Sequence, residues 1–177
     1  MSKVGHSNGP TYYHWNILTH NLVGCPEMPM WTVTPTTFNS SVSENGTSVT
    51  VNTGGAIADK ICVMSALNDG YFQVRSNVSS YTFTNVSKPY YATITKHNYI
   101  PYQNVLTNVF IENRPAINST AYLNCQTLSA GYDVIPNNGI VGNVVIQSGA
   151  NITFDATGDI ILAAGFEVQL GATFEAK

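Results

Sequence analysis

A chain of 177 residues has room for one ordinary domain or two small ones, so internal patterns must choose between them. Charged residues make up 10% of it, against roughly 25% in an average soluble domain. Ser, Thr and Asn supply the polarity instead, which suits solvated strands and turns and suits a helical cytosolic enzyme poorly. A formal net charge of −3 with seven Lys plus Arg leaves no basic stripe for nucleic acid, and runs such as Asp159 to Phe166 are too short to cross a bilayer, which takes roughly 20 apolar residues.

Met1 to Pro10 is polar and lacks the apolar core of a secretory signal, so the sequence reads as a piece of a longer secreted protein. Tyr12 to Val23 mixes Tyr13, Trp15, Ile17, Leu18 and Leu22 with polar residues, a pattern open to one short helix or an extended arm. Gly24 and the prolines of Gly24-Cys25-Pro26-Glu27-Met28-Pro29 break regular structure and mark a boundary. From Trp31 to Tyr102 short β-branched and aromatic runs alternate with Asn, Gly, Ser and Pro clusters, the text of consecutive strands. Strands are expected over Thr37 to Val42, Ser48 to Thr53, Ile57 to Ala66, from Tyr71, over Tyr81 to Thr84 and over Tyr91 to Lys96, with Asn68-Asp69-Gly70 as a hairpin turn. The count approaches the seven or so of an immunoglobulin-like sandwich, without a Cys…Trp…Cys pattern.

Asn104 to Gly139 reads as irregular. A repeat with a period near seven then begins at Gly142, Gly149, Gly158, Gly165 and Gly171, each glycine opening one short strand. Between these corners Val144, Ile146, Ile152, Phe154, Ile160, Leu162, Phe166, Val168 and Phe174 alternate with polar residues, so one face of each strand is apolar. Such units bury that face only by piling up, which points to a short β-solenoid; a meander of hairpins is the rival, although the corners lack its favoured Asn-Gly or Asp-Gly pairs.

Gly24-Cys25-Pro26-Glu27-Met28-Pro29-Met30-Trp31, the strands after it and Thr95-Lys96-His97-Asn98-Tyr99-Ile100-Pro101-Tyr102 together resemble the junction and immunoglobulin-like domain of gingipain-type cysteine peptidases. The resemblance covers about 13–102, with Cys25 where that family usually carries Asp, and it implies that Tyr13 to Val23 is the remnant of a preceding peptidase domain. Residues 121–177, above all Gly158 to Gly165 and Phe166 to Ala176, are similar to the coat-hanger-stack domain of secreted Bacteroidetes-type proteins, which implies a structural or surface-association role. Neither resemblance supplies a catalytic residue.

Candidate chemistry is sparse. A peptidase of the gingipain type needs a His and a Cys held together in an α/β fold, and Cys25 with His14, His20 or His97 lacks the alternating helices and strands to hold them. His6, His14 and His20 lack the spacing of metal ligands, so neither metal nor cofactor is expected. Cys25, Cys62 and Cys125 permit at most one disulfide; Cys62 reads as a small buried apolar group. Acids such as Asp59, Asp69, Glu112, Asp133, Asp155, Asp159 and Glu167 sit mostly beside turns, where they cap backbone groups or solvate a face. Tyr90, Tyr91, Tyr99 and Tyr102 are the densest aromatic group and the candidate ligand-binding residues, as a platform for a sugar or a host protein; packing is the competing reading. Asn45-Gly-Thr47 and Asn77-Val-Ser79 match the glycosylation triplet, which carries weight only where that machinery exists.

The expectation is therefore an all-β, extracellular or cell-surface bacterial chain with no catalytic site. It has an arm at 1–28, an immunoglobulin-like β-sandwich at 29–102 and a coat-hanger β-solenoid at 103–177. Its role is to support, space or attach a gingipain-like cysteine peptidase, with the upstream peptidase domain or a surface component as partner; an independent glycan- or host-protein-binding module is the alternative. If Ile160 and Phe166 point inward, Ile160→Asp or Phe166→Asp costs several kcal/mol in a thermal or denaturant melt and Gln147→Lys costs little.

Overall fold

The computed structural model describes residues 32–136 and 140–177. The expected arm, the Gly24–Pro29 break, Cys25, and His6, His14 and His20 lie outside the described residues. What is described is all-β: sixteen strands in five sheets, with no helix and no closed barrel.

The first seven strands are antiparallel. β1 (Ser41–Asn45), β2 (Ser48–Asn52) and β5 (Ser80–Phe83) form one sheet, in the order β1-β2-β5. β3 (Ala58–Ser65), β4 (Phe72–Val78), β6 (Tyr90–Thr95) and β7 (Tyr102–Gln103) form a second, in the order β4-β3-β6-β7. Alternation builds their core. Val49 and Val51 of β2 and Phe83 of β5 lie in one apolar cluster with Ile61 and Val63 of β3 and Ala92 and Ile94 of β6, all fully buried. The expected strands fall within a residue or two of these, except that the run begun at Thr37 becomes a strand only at Ser41. The turn at Asn68-Asp69-Gly70 forms as read, with Asn68 and Gly70 both at positive φ.

The remaining nine strands pair only in parallel. β8 (Asn108–Ile111), β9 (Arg114–Ile117) and β10 (Thr120–Cys125) make the first turn of a winding chain. β11 (Thr127–Ala130), β12 (Val144–Ile146) and β13 (Asn151–Ala156) make the second, and β14 (Ile160–Leu162), β15 (Phe166–Val168) and β16 (Thr173–Ala176) the third. Three three-stranded sheets result, β8-β11-β14, β9-β12-β15 and β10-β13-β16. Val144 pairs with Phe166 and Asn151 with Thr173, about 22 residues apart, so three seven-residue units make one turn there; the earlier pairs, such as Asn108 with Thr127 and Leu128 with Ile160, follow no such fixed spacing. Parallel pairing throughout removes the hairpin meander, because a two-residue hairpin joins only antiparallel neighbours.

Two features of this stack depart from the sequence reading. Asn104 to Gly139, read as irregular, contains β8 to β11, a whole turn and the start of the next. Its corners are made by Glu112-Asn113 and Asn118-Ser119, so the glycine rhythm that marks the later strands is missing there. Glycine also serves in two ways. Gly165 stands at φ +83°, where a side chain is strained, whereas Gly142 is needed for closeness: a Cβ there would lie 2.5 Å from Asn113 Oδ1.

Inward residues of the first two turns form a dry core in which Leu123, Leu128, Val144, Ile146, Ile152 and Phe154 are at most 1% exposed. The third turn is different. Ile160, Phe166 and Phe174 pack on that core but are only half-buried, and Leu162 and Val168 are 43% and 39% exposed. Rings of Phe154 and Phe174 meet edge-on at 5.2 Å, and Phe166 lies 5.1 Å from Phe174. A carboxylate therefore costs most in the middle turn, where water is excluded. Ile152→Asp is expected to lower unfolding free energy by several kcal/mol and Ile160→Asp by distinctly less, with Gln147→Lys near neutral. Chemical denaturation of the three variants checks this, and equal losses at 152 and 160 would contradict the inward-facing order.

Candidate functional site

The two cores meet at a joint made of loops. Ala66 and Leu67, in the loop after β3, belong to the core of the parallel stack, with Leu67 1% exposed. Leu67 O accepts a hydrogen bond from Ser119 Oγ, and Asn68 Nδ2 donates to Thr120 O at 3.2 Å. Arg114, at the start of β9, reaches into the loop between β5 and β6, where it donates to Ser87 Oγ at 2.8 Å and to Lys88 O. Its other terminal nitrogen is 3.6 Å from Asp69 Oδ2, which also accepts from Ser87 Oγ. The Tyr71 N–H donates to this carboxylate's Oδ1, 3.1 Å away.

Beside the joint lies a cleft of about 390 Å³ lined by residues of both parts, among them Glu44, Lys88, Tyr90, Val105, Phe110 and Ile135. Glu44 takes one hydrogen bond from the Lys88 ammonium and another from the Tyr90 hydroxyl at 2.8 Å. Burial, then the bond to Glu44 and its negative charge, push the Tyr90 phenol far above its ordinary value, so it stays a neutral donor. Asn104 fixes the cleft's back wall, accepting from the Ala92 N–H at 2.6 Å and donating to Tyr90 O at 3.4 Å. The apolar side is open: Val105 is 81% exposed.

The link from β11 to β12 is longer, residues 131–143, where the corresponding links of the other two turns take two or three residues, and its Ile135 lines the cleft. Its near half is tied down by Glu112, a carboxylate only 8% exposed, whose Oε2 accepts from the N–H groups of Val134 and Ile135 at 3.0 and 3.1 Å. Asp59 likewise accepts from the His97 N–H at 2.7 Å. Backbone capping, the role read for these acids, thus holds at Asp59, Asp69 and Glu112.

The four tyrosines singled out in the sequence do not share a surface. Tyr90 and Tyr91 are consecutive on β6 and point to opposite faces: Tyr90, 5% exposed, sits in the antiparallel core, while Tyr91 packs on the core of the parallel stack. Tyr102 packs against the antiparallel core, and Tyr99 lies on Phe38 with ring centres 4.7 Å apart and the Lys96 ammonium over its face. Cys62 and Cys125 are both free thiols. Cys62 is half-buried rather than buried, on β3 opposite Thr93; Cys125 lies in the other core. Burial pushes both thiols up, away from the thiolate that nucleophilic chemistry uses. Among the described residues no group of three or more His, Cys, Asp or Glu is placed to hold a metal ion.

Arg114, Glu44 and Lys88 were not singled out in the sequence, and Tyr90 was singled out only as one of the four tyrosines. No motif marks Arg114 in the sequence, because its partners Ser87, Lys88 and Asp69 lie far away along the chain. Compared with family models, with curated proteins and with solved structures, the chain matches none.

Asp69 makes the joint sensitive to acid. Burial pushes its carboxyl up, but the bonds from Ser87, the Tyr71 N–H and Ser65, with the charge of Arg114, outweigh this and hold it below the usual carboxylate value. Its contribution is therefore present above the unfolded value near 4 and is lost as pH falls through the lowered folded value. Between about pH 5 and 2 the melting temperature of the parent chain should fall more steeply than that of Asp69→Asn. Parallel curves from scanning calorimetry would remove Asp69 from the joint's energetics.

Proposed function

We propose that this chain is a non-catalytic accessory region of a secreted or cell-surface bacterial protein, of the kind that supports, spaces or attaches a gingipain-like cysteine peptidase. On this reading residues 29–102 are an immunoglobulin-like sandwich and residues 103–177 a coat-hanger stack. Seven antiparallel strands divided three and four around one core support the first assignment. Strands wound in parallel, with corners at Gly149, Gly158, Gly165 and Gly171, support the second.

The joint is the observation that carries the proposal. A spacer must transmit orientation, and two units linked only by a flexible connection do not. Here Leu67 of one part is inserted in the core of the other, and Arg114, Ser119 and Asn68 fasten the loops around it. Inter-domain motion is the default unless an interface is substantially apolar, and this one is centred on an apolar plug. Low charge and raised thiols fit a role in architecture better than one in chemistry.

In calorimetry residues 33–177 should melt in a single transition, and Leu67→Ala should lower its midpoint or split it in two, at about 2–5 kcal/mol for a buried leucine. Two resolved transitions in the parent chain would refute the rigid-spacer reading. Incubated with casein or a peptide pool the chain should release no fragments; hydrolysis blocked by iodoacetamide would show it to be a peptidase instead.

A further inference from the structure

The first turn of the stack has three strand edges facing the antiparallel part, and they are treated unequally. β9 and β10 meet its loops through Arg114, Ser119 and Thr120. β8 pairs with β11 alone. Thr127 N donates to Thr107 O at 2.9 Å and Gly131 N to Ile111 O at 3.1 Å. In a parallel pair each residue turns both its N–H and its C=O to one side, and successive residues alternate. Thr107, Val109 and Ile111 are therefore spent on β11, and the N–H and C=O of Asn108 and Phe110 point the other way. No strand or loop among the described residues supplies them with a backbone partner. Both residues line the cleft, opposite Lys88, Pro89 and Tyr90.

An open strand edge in water is ordinary, but an open edge inside a walled cleft is a template. Two donors and two acceptors at strand spacing are matched by the backbone of one extended segment. The walls specify its side chains. Val105, Phe110 and Ile135 offer apolar contact, and the charge in the cleft is already compensated within the Glu44–Lys88 pair. A neutral strand is complementary to a wall of no net charge, whereas a charged one would have to break that pair or leave its own charge unmatched.

We propose that the free edge of β8 binds an extended, uncharged peptide segment of about four residues by strand addition, its alternate apolar side chains entering the cleft beside Val105 and Phe110. The partner is a strand of another protein, recognised chiefly through its backbone.

Isothermal titration with a capped five-residue peptide of alternating valine and threonine tests this. Saturable binding is expected, nearly unchanged between 50 and 500 mM salt. It should be lost when the peptide is N-methylated at alternate residues, which removes its donors and leaves its side chains. Asn108→Pro deletes one outward N–H at the first position of an edge strand, where proline is tolerated. It should weaken binding about three- to tenfold, the worth of one net hydrogen bond. Because the N-methyl control uses the parent protein, a poorly folding proline variant does not remove the test. No binding up to about 1 mM peptide, equal binding of the N-methylated peptide, or a tenfold loss in high salt would each overturn the proposal. So would concentration-dependent dimerisation in sedimentation that Asn108→Pro abolishes, since the edge would then be taken by a second copy.

Discussion

A stack of short parallel strands has an apolar interior that is open at its ends, and the side chain closing the first end here is Leu67, which comes from the other half of the fold. Val109, Ile111, Ile117 and Leu123 of the first turn are 5% exposed or less, in one cluster with Ala66, Leu67 and Leu106. Their counterparts at the third turn, Leu162 and Val168, are 43% and 39% exposed. The polar bonds around the plug are weaker partners: Arg114 and Asp69 are about a third exposed, and such pairs are worth about 0–1 kcal/mol, against roughly 1.5–3 kcal/mol for one buried leucine. Apolar insertion thus supplies the strength of the joint, and the hydrogen bonds supply its orientation.

That joint also decides where binding chemistry is available. Loops that plug the interior cover the β9 and β10 side and leave the β8 side walled but unfilled, so the cleft is a by-product of asymmetric capping. Its polar groups satisfy one another, Glu44 with Lys88 and Tyr90, and Asn104 with the backbone of Ala92 and Tyr90. What remains for a ligand is main chain and apolar surface. Glu112 holds the first part of the link from β11 to β12 by accepting from the N–H groups of Val134 and Ile135.

Asp69 apart, the shifted titratable groups follow the same economy. Tyr90 is held neutral by burial and by its bond to Glu44, and both free thiols are held protonated by burial. Each shift favours the uncharged form, which packs, over the charged form, which reacts. Tyr122 follows the same direction for a different reason, since its hydroxyl donates to Asp155 on the outer face of the third parallel sheet.

Sequence alone determined the all-β class, most strand positions, the Asn68-Asp69-Gly70 turn and the alternation that sends Ile152 and Phe154 inward, because these follow from local propensity and a period of two. It also marked the later glycine corners, where a positive φ at Gly165 has few other solutions. Only the tertiary structure decided that the strands pair in parallel turns of unequal length, that the stack begins near Asn108, and that Leu67 and Arg114 belong to a joint. Those features depend on residues far apart in the chain: Leu67 reads as a turn residue until Ser119 and the first-turn core are placed beside it. The consecutive tyrosines show the same limit, since adjacency in sequence puts two rings on opposite faces of a strand, and which core each one enters is settled by long-range packing.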